Sequence, residues 1–144
     1  MEQLKLVYTL YIRSNSEKTW DAITKPEITR RYWGGMANVS DWQVGSQWQH
    51  ASQDAEILFQ GEVMKYNYPE DLILTWASPL NIEDQSKVSL KIEEVDGMVC
   101  LTLIHSEFTT GSKIIEEVSE GWPRVLSSLK SFLETGEGLR VGCE

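Results

Sequence analysis

The sequence predicts an α+β fold in which a curved antiparallel sheet wraps round one C-terminal helix. Three observations support this prediction. Short segments rich in β-branched and aromatic residues alternate apolar and polar positions through most of the chain. Asp96-Gly97 is a two-residue hairpin signal between two of these segments. The last amphipathic segment, GWPRVLSSLKSFLETG, has the periodicity of a helix.

The chain begins with a predicted strand and two short helices. Every second residue from Leu4 to Ile12 is apolar, which predicts a strand over residues 5–14. Asn15 or Ser16 can cap the helix that follows. Pro26 ends that helix and begins a second short one, which stops at Gly34-Gly35.

A run of six antiparallel strands is predicted next. Residues 37–51 hold two short strands joined by a turn at Gly45-Ser46, and residues 56–78 hold two longer strands joined by the loop NYPED. The last pair flanks Asp96-Gly97. Its first strand has alternate apolar residues that should face the core, namely Val88, Leu90 and Ile92.

The C-terminal helix has one apolar face about 100° wide, formed by Val118, Trp122, Val125, Leu126, Leu129, Phe132 and Leu133. We expect the other side chains to point away from the core, including Ser127, Ser128, Lys130 and Glu134. Gly136 should end the helix. Pro123 either kinks one long helix or starts a second segment. We favour a kink or break near 119–121, because Pro123 gives the Ser119 carbonyl no N–H donor.

Length and composition indicate a single domain over residues 1–144, with a core at about 4–134 and a tail at 135–144. The net charge of -9 disfavours nucleic acid and anionic membranes as partners. No apolar run approaches a membrane span of roughly 20 residues, and the N-terminus has no signal-peptide pattern. Cys100 and Cys143 do not form a disulfide framework, so we expect a cytoplasmic protein.

Five stretches of the chain, in order, resemble a known family: YIRSNSEKTWDAITKPEITRRYWGG, SDWQVGSQWQ, GEVMKYNYPEDLILTW, LTLIHSEF and GWPRVLSSLKSFLE. The family is the activator-of-heat-shock-chaperone-ATPase homologue-like (AHSA-type) family of the START-like (SRPBCC) superfamily. The resemblance runs from about Leu4 to Glu134. The chain departs from the pattern at Ser46 and Glu107, where the family often has glycine.

This resemblance implies the helix-grip fold of the birch-pollen allergen, with a cavity between the sheet and the C-terminal helix. It implies no catalytic residues, because the family shares none. We expect Trp33, Trp42 and Trp122 to wall the mouth or to narrow the cavity. The other expected wall residues are Phe59, Leu74, Trp76, Leu90, Leu101, Leu103, Val125, Leu126 and Leu129. A plain apolar core remains the alternative for these side chains.

His105 shares strand parity with Leu101 and Leu103, so its side chain should point inward. It would orient a ligand, act as an acid or base, or simply be a satisfied core histidine. Cys100 lies five residues away on the same strand and should face the other side, which argues against a thiol–imidazole pair.

Other candidate sites are weaker. His50, Asp54 and Glu56 lack the dense spacing of metal ligands, so we expect no metal. Glycine-rich cofactor and phosphate motifs are missing, so we expect no cofactor. Arg30-Arg31 would either bind an acidic ligand group at the mouth or form a solvated helix end. Glu93-Glu94 and Glu116-Glu117 are expected at solvated edges.

Three functions follow from these observations. The first is binding of a hydrophobic small molecule, lipid-like or aromatic, by a protein that is not an enzyme. The second is a polyketide cyclase-like or hydratase-like enzyme that uses His105 and a tyrosine. The third is an interaction module acting on a heat-shock chaperone. The chain is expected to be a monomer or a homodimer.

Overall fold

The computed structural model describes residues 4–141. The chain forms β1 (Leu6–Ile12), α1 (Ser16–Thr24), α2 (Pro26–Thr29), β2 (Ala37–Ser40), β3 (Gln47–Ala51), β4 (Ile57–Asn67), β5 (Asp71–Ser78), β6 (Asn81–Val95), β7 (Met98–Ser106) and α3 (Ile115–Thr135). This is the predicted order of elements. No helix within residues 4–141 is both long and apolar enough to cross a bilayer.

The seven strands form one antiparallel sheet in the order β1-β7-β6-β5-β4-β3-β2. From β2 to β7 the strands follow the chain as successive hairpins, whereas β1 pairs with β7, so the first strand lies at one edge beside the last. The inner face of the sheet packs against α3, and the core lies between them. The architecture is the helix-grip fold that the sequence predicts.

Local signals explain the short helices. Asn15 caps α1, and its side-chain oxygen accepts a hydrogen bond from Lys18 N at 2.8 Å. Pro26 occupies the first turn of α2, where a missing N–H costs nothing. The inward face of α1 places Trp20, Ala22 and Ile23 in the core.

Helix α3 runs without interruption from Ile115 to Thr135, so of the kink or break predicted near residues 119–121 the break is wrong, and a kink within the continuous helix stays a prediction. Pro123 leaves the Ser119 carbonyl without its helical donor. The hydroxyl of Tyr8, on β1, donates a long hydrogen bond to that carbonyl at 3.4 Å. A donor from the sheet thus replaces the one that the helix lacks. Gly136 ends the helix in a left-handed conformation, φ 88°, as predicted.

Ser128 was expected to lie away from the core, and this prediction is wrong, because its side chain is fully buried. The hydroxyl donates to the carbonyl of Tyr32 at 2.6 Å and accepts from Leu139 N at 2.8 Å. Gly138 passes so close that a Cβ there would lie 2.9 Å from Ser128 Oγ. The segment after α3 therefore folds back along the helix, and Val141 reaches the core.

The two departures from the family pattern have different backbone requirements. Ser46 has a negative φ, so it needs no glycine, and its hydroxyl donates to the Gln43 carbonyl at 2.7 Å. Glu107 adopts φ 56°, the left-handed region that favours glycine. Glu107 also forms an ion pair with Lys87. The residue that makes this ion pair thus has a backbone conformation that is less favourable for a non-glycine residue.

Candidate functional site

The candidate site is a small apolar space between the inner face of the sheet and α3. Its volume is about 30 Å³, enough for about one water molecule. Eleven of the thirteen predicted wall residues border it: Trp33, Trp42, Leu74, Trp76, Leu90, Leu101, Leu103, Trp122, Val125, Leu126 and Leu129. Phe59 and His105 do not border it. They are buried directly behind it, with their ring centroids 4.8 and 5.5 Å from that of Trp76.

Two half-buried tryptophans form the outer wall of this space. The Trp33 ring packs against His50 at 4.5 Å and against Trp122 at 5.7 Å. Trp42 adopts a left-handed backbone, φ 55°, and donates its indole N–H to the Thr24 carbonyl at 2.9 Å. Both side chains are partly exposed, unlike the deeper aromatic residues. Trp33 and Trp42 therefore form the part of the wall that can move with the least loss of packing contacts.

Trp76 lies at the centre of the aromatic cluster. Its ring centroid lies 4.9 Å from that of Trp48, 4.8 Å from Phe59 and 5.4 Å from Trp122. The indole nitrogen of Trp76 is buried and has no hydrogen-bond partner in the part of the chain that the structure describes. The neighbouring Trp48 instead donates to the Thr75 carbonyl at 2.7 Å. Two adjacent indoles thus differ in whether their N–H groups are satisfied.

His105 is fully buried as part of a directed hydrogen-bond chain. Trp122 donates its indole N–H to His105 Nδ1 at 3.0 Å, which requires that Nδ1 carry no proton. In the neutral ring the proton is therefore on Nε2, which donates to Ser86 Oγ at 2.7 Å. Ser86 in turn donates to the Trp76 carbonyl at 3.3 Å. Every member of this chain has its partner.

These hydrogen bonds limit the chemistry that is available to His105. Burial lowers the pKa of His105 to about 4, so the ring is neutral near pH 7. A base that activates Ser86 would need a lone pair on Nε2, but that atom carries the proton. The pair therefore does not have the arrangement of a nucleophile and its base.

His50 makes a second buried polar pair. Its Nδ1 lies 2.8 Å from Asn38 Oδ1, and the Asn38 amide donates to the Ile23 carbonyl at 2.9 Å. The amide oxygen can only accept, so His50 Nδ1 is the donor. Burial lowers the pKa of His50 to about 4. Asn38 is thus held by two partners at the edge of the apolar space.

Five residues that border the space were not predicted: Ile23, Tyr32, Asn38, Trp48 and Val88. Trp48 could have been found, because it shares the inward parity of His50 on β3. Val88 shares the parity of Leu90, which was predicted. Asn38 and Tyr32 come from the short segments around α2, where no periodicity marks the inward side.

The other candidates lie apart from this space. Cys100 is buried on the other side of β7 from Leu101 and His105, beside the exposed Tyr11. Residues 4–141 hold no cluster of three His, Cys, Asp or Glu side chains with metal-binding geometry. Arg31 lies over the Phe132 ring at 5.0 Å, with its backbone at the end of α2. Cys143 lies outside the described residues.

A larger, open depression of about 390 Å³ lies on the surface at the start of α1. Four glutamates line it, Glu17, Glu70, Glu93 and Glu94, together with Ser16, Pro69 and Ile92. Across it, the main-chain N–H of Ser16 donates to the Glu94 carboxylate at 3.0 Å. It is an acidic surface and does not enclose a molecule.

Comparison with known proteins identifies relatives of this fold. The family model described as "Activator of Hsp90 ATPase homolog 1-like protein" matches residues 13–134. The solution structure of the Aha1 dimer from Colwellia psychrerythraea is similar, with a TM-score of 0.77, 20% identity, and coverage of 94% of this chain and 99% of that one. No curated protein matches the chain.

Two further solved structures share the fold. An Hsp90 activator from Plasmodium falciparum, PFC0360w, has a TM-score of 0.70 at 19% identity and covers 82% of this chain and 86% of its own. ChR145 from Cytophaga hutchinsonii has a TM-score of 0.72 at 26% identity, with 92% and 96% covered.

Proposed function

The chain belongs to the Activator of Hsp90 ATPase homolog 1-like family, and we propose that it binds a small apolar molecule between the sheet and α3. The observation that carries the proposal is the wall of this space. Five of the six tryptophans border it, and the rest of the wall is almost wholly apolar. Such concave, aromatic-lined interiors are typical of small-molecule sites.

Among residues 4–141, the buried polar side chains of the wall already have hydrogen-bond partners, with the exception of the Trp76 indole. The amide of Asn38 has two partners, and the indoles of Trp42, Trp48 and Trp122 each donate to an acceptor within the protein. An apolar molecule therefore needs no polar partner in the wall, and the hydrogen bond that opening of the wall would break is the one from Trp42 to the Thr24 carbonyl. Its binding rests on contact with aromatic and aliphatic side chains.

The present volume sets the mode of binding. A space of about 30 Å³ does not accommodate a ring-sized molecule, so the wall must open. Trp33 and Trp42 are the partly exposed members of that wall, and their movement costs the least buried area. We therefore expect a closed form without ligand and an open form that the ligand stabilises.

The test is titration of the purified protein with indane, followed by tryptophan fluorescence and native mass spectrometry. We expect quenching and a one-to-one adduct. Trp42→Ala should bind indane about tenfold more tightly, because the wall no longer has to move. Trp20→Phe is the matched control, since Trp20 lies outside the space beside Tyr66. Lack of an adduct with both wild-type protein and Trp42→Ala would contradict the proposal.

A reaction catalysed by His105 is not part of this proposal, because its two ring nitrogens are engaged by Trp122 and Ser86. His105→Gln should keep indane affinity within a few-fold, since one neutral hydrogen bond contributes about 1 kcal/mol. A reaction that this variant abolished while indane still bound would favour the enzyme reading instead.

A second candidate function is interaction with the chaperone Hsp90. It is supported by the description of the family and by the Plasmodium falciparum relative, which is itself named an Hsp90 activator. Stimulation of Hsp90 ATPase by the added domain would test it. Trp42→Ala should leave any stimulation unchanged, because the change is confined to the wall of the interior space. Loss of stimulation with that variant would instead tie the two candidate functions to one site.

The Colwellia psychrerythraea relative is described as a dimer, and this supports self-association as a further proposal for this chain. Val7 and Tyr11 lie exposed on β1 at the edge of the sheet. Analytical ultracentrifugation of the wild-type protein and of Tyr11→Glu would distinguish a dimer formed through this strand from a monomer.

A further inference from the structure

The indole N–H of Trp76 is an unsatisfied donor in the middle of the apolar interior. The side chain is 4% exposed, and within residues 4–141 its nitrogen has no acceptor at hydrogen-bond distance. An indole can only donate, and buried donors are nearly always paired. The unpaired N–H of Trp76 therefore needs an explanation.

The other buried indoles show that the fold is able to satisfy such groups. Trp48 donates to the Thr75 carbonyl at 2.7 Å, Trp122 to His105 at 3.0 Å, and Trp20 to the Tyr66 hydroxyl at 3.3 Å. Trp48 is in ring contact with Trp76 and even more deeply buried. Trp76 is thus the exception within one cluster of aromatic side chains.

The side chains around Trp76 offer it no free acceptor. Trp48, Phe59 and Trp122 present rings without an acceptor atom. His105 is also in ring contact, but its Nδ1 accepts from Trp122 and its Nε2 carries a proton bonded to Ser86. Rotation of His105 would break one bond to make another, so none of the rings in contact with Trp76 supplies the acceptor, and we look for it in a bound molecule.

A lone water does not meet this need. A buried water is held by about three hydrogen bonds, in the range of two to four. Among the buried indoles of the wall, only that of Trp76 lacks an acceptor within residues 4–141, because Trp48 and Trp122 donate within the protein, and the Asn38 amide already has two partners. A larger molecule can instead bind through apolar contact and needs only one acceptor atom.

We propose that Trp76 Nε1 is the polar anchor of the ligand site, and that the ligand is a flat, largely apolar ring compound with one acceptor oxygen, such as a cyclic ketone. This inference rests on the proposed binding function and specifies its ligand class. The ring lies among the aromatic side chains, and the carbonyl oxygen accepts from the indole. A hydrocarbon of the same shape binds without that bond.

The experiment compares 1-indanone with indane, which has the same fused rings and no oxygen. Binding constants are measured for the wild-type protein, for Trp76→Phe, and for the matched control Trp48→Phe. For each protein we take the ratio of the affinity for 1-indanone to the affinity for indane. This ratio should be about tenfold higher in the wild-type protein than in Trp76→Phe. Trp48→Phe should keep the wild-type ratio. Because a change in the volume of the site affects the binding of both probes, it cancels in this ratio.

A second measurement uses only the wild-type protein, in case Trp76→Phe does not fold. The indole N–H signals of the ¹⁵N-labelled protein are assigned and followed during both titrations. The Trp76 proton should move downfield with 1-indanone and much less with indane, whereas the Trp48 signal should respond alike to both.

The outcomes separate this inference from the function on which it rests. Binding of both probes with equal ratios in all three proteins, and no selective shift at Trp76, would overturn the anchor and leave an apolar site. Binding of neither probe would overturn both proposals.

Discussion

The interior has two ends that are built from different side chains. Where β1 finishes and β7 begins, Ile12 and Val99 face each other in register, with Ile92 on the adjacent strand, and all three are almost completely buried. We call this the aliphatic end. Where β7 finishes and α3 begins, Trp76, His105 and their neighbours form the aromatic end.

The two ends are stabilised in different ways. At the aliphatic end, shape and burial suffice, because the side chains have no polar atoms to satisfy. The aromatic end contains two neutral histidines, several indole donors and a small gap. Its hydrogen bonds fix one arrangement of bulky rings, and that arrangement can respond to protons and to a ligand. The following predictions test this division, beginning with the largest effect.

Gly61→Ala should destabilise the protein by more than about 4 kcal/mol, because the new Cβ would lie 2.0 Å from the Thr75 carbonyl oxygen. That oxygen also accepts the indole N–H of Trp48, so the clash reaches the aromatic end. Urea unfolding followed by circular dichroism measures the loss.

Gly121→Ala is the control for this change. Its Cβ meets no atom within 4 Å, and the residue lies inside α3. We expect a gain of about 0.5–1 kcal/mol from helix propensity. Similar stabilities for the two variants would show that the close approach at Gly61 is not rigid.

Ile92→Ala should cost about 2–5 kcal/mol, because it removes a buried side chain from the aliphatic end and leaves a cavity. The loss should be the same at pH 7.5 and at pH 5, since no titrating group takes part. Denaturant unfolding at the two pH values measures it. A loss that differs strongly between them would mean that the two ends are coupled.

The aromatic end should lose stability in acid. Burial lowers the pKa of both His50 and His105 from 6.5 to about 4 in the folded protein. Between these values the unfolded chain binds protons that the folded chain does not. Stability is therefore complete above about pH 7 and falls as the pH drops from 6.5 to 4, by on the order of 3 kcal/mol for each histidine.

Unfolding free energies of the wild-type protein and of His105→Gln between pH 7.5 and pH 4 measure this effect. The variant should have a shallower pH dependence, since one of the two titrating groups is gone, while the carboxylates contribute equally to both proteins. Identical pH profiles would contradict the assignment of His105 as a neutral, buried group.

Tyr8→Phe should have the smallest effect, about 0.5–1 kcal/mol, because it removes one long hydrogen bond to the Ser119 carbonyl. In a Pro123→Ala background this cost should vanish, since the main-chain N–H restored at position 123 satisfies the same carbonyl. A double-mutant cycle by urea unfolding gives the coupling. Equal costs of Tyr8→Phe in both backgrounds would mean that the two groups do not share the carbonyl.

Local patterns predicted the fold because each element has a signal of its own. Alternation on β6 and β7 and the apolar face of α3 identify the layers, and parity correctly directs His105 inward. The same patterns could not predict Ser128. A serine beside the apolar face looks exposed, and its burial depends on the Tyr32 carbonyl and the Leu139 N–H, which only the tertiary fold brings to it.

The candidate site was predictable to the extent that it follows periodicity. Leu74, Leu101 and Val125 come from regular strands and the helix, and they border the space. The satisfied and unsatisfied indoles were not predictable, because Trp48 and Trp76 have the same side chain in similar strands. Whether an acceptor lies opposite depends on the backbone of another strand: Thr75 lies on β5, which β4 separates from the strand of Trp48.

The pairing of β1 with β7 has a consequence for synthesis of the chain. Ile12 lies opposite Val99, so the first strand has no partner until most of the sheet has been translated. At ~5–20 residues per second, the ribosome needs several seconds to make the intervening chain. During that time Leu6, Tyr8 and Leu10 have no sheet to pack on. Closure of the sheet edge, and with it the donor that completes α3 at Ser119, is therefore a late event of folding.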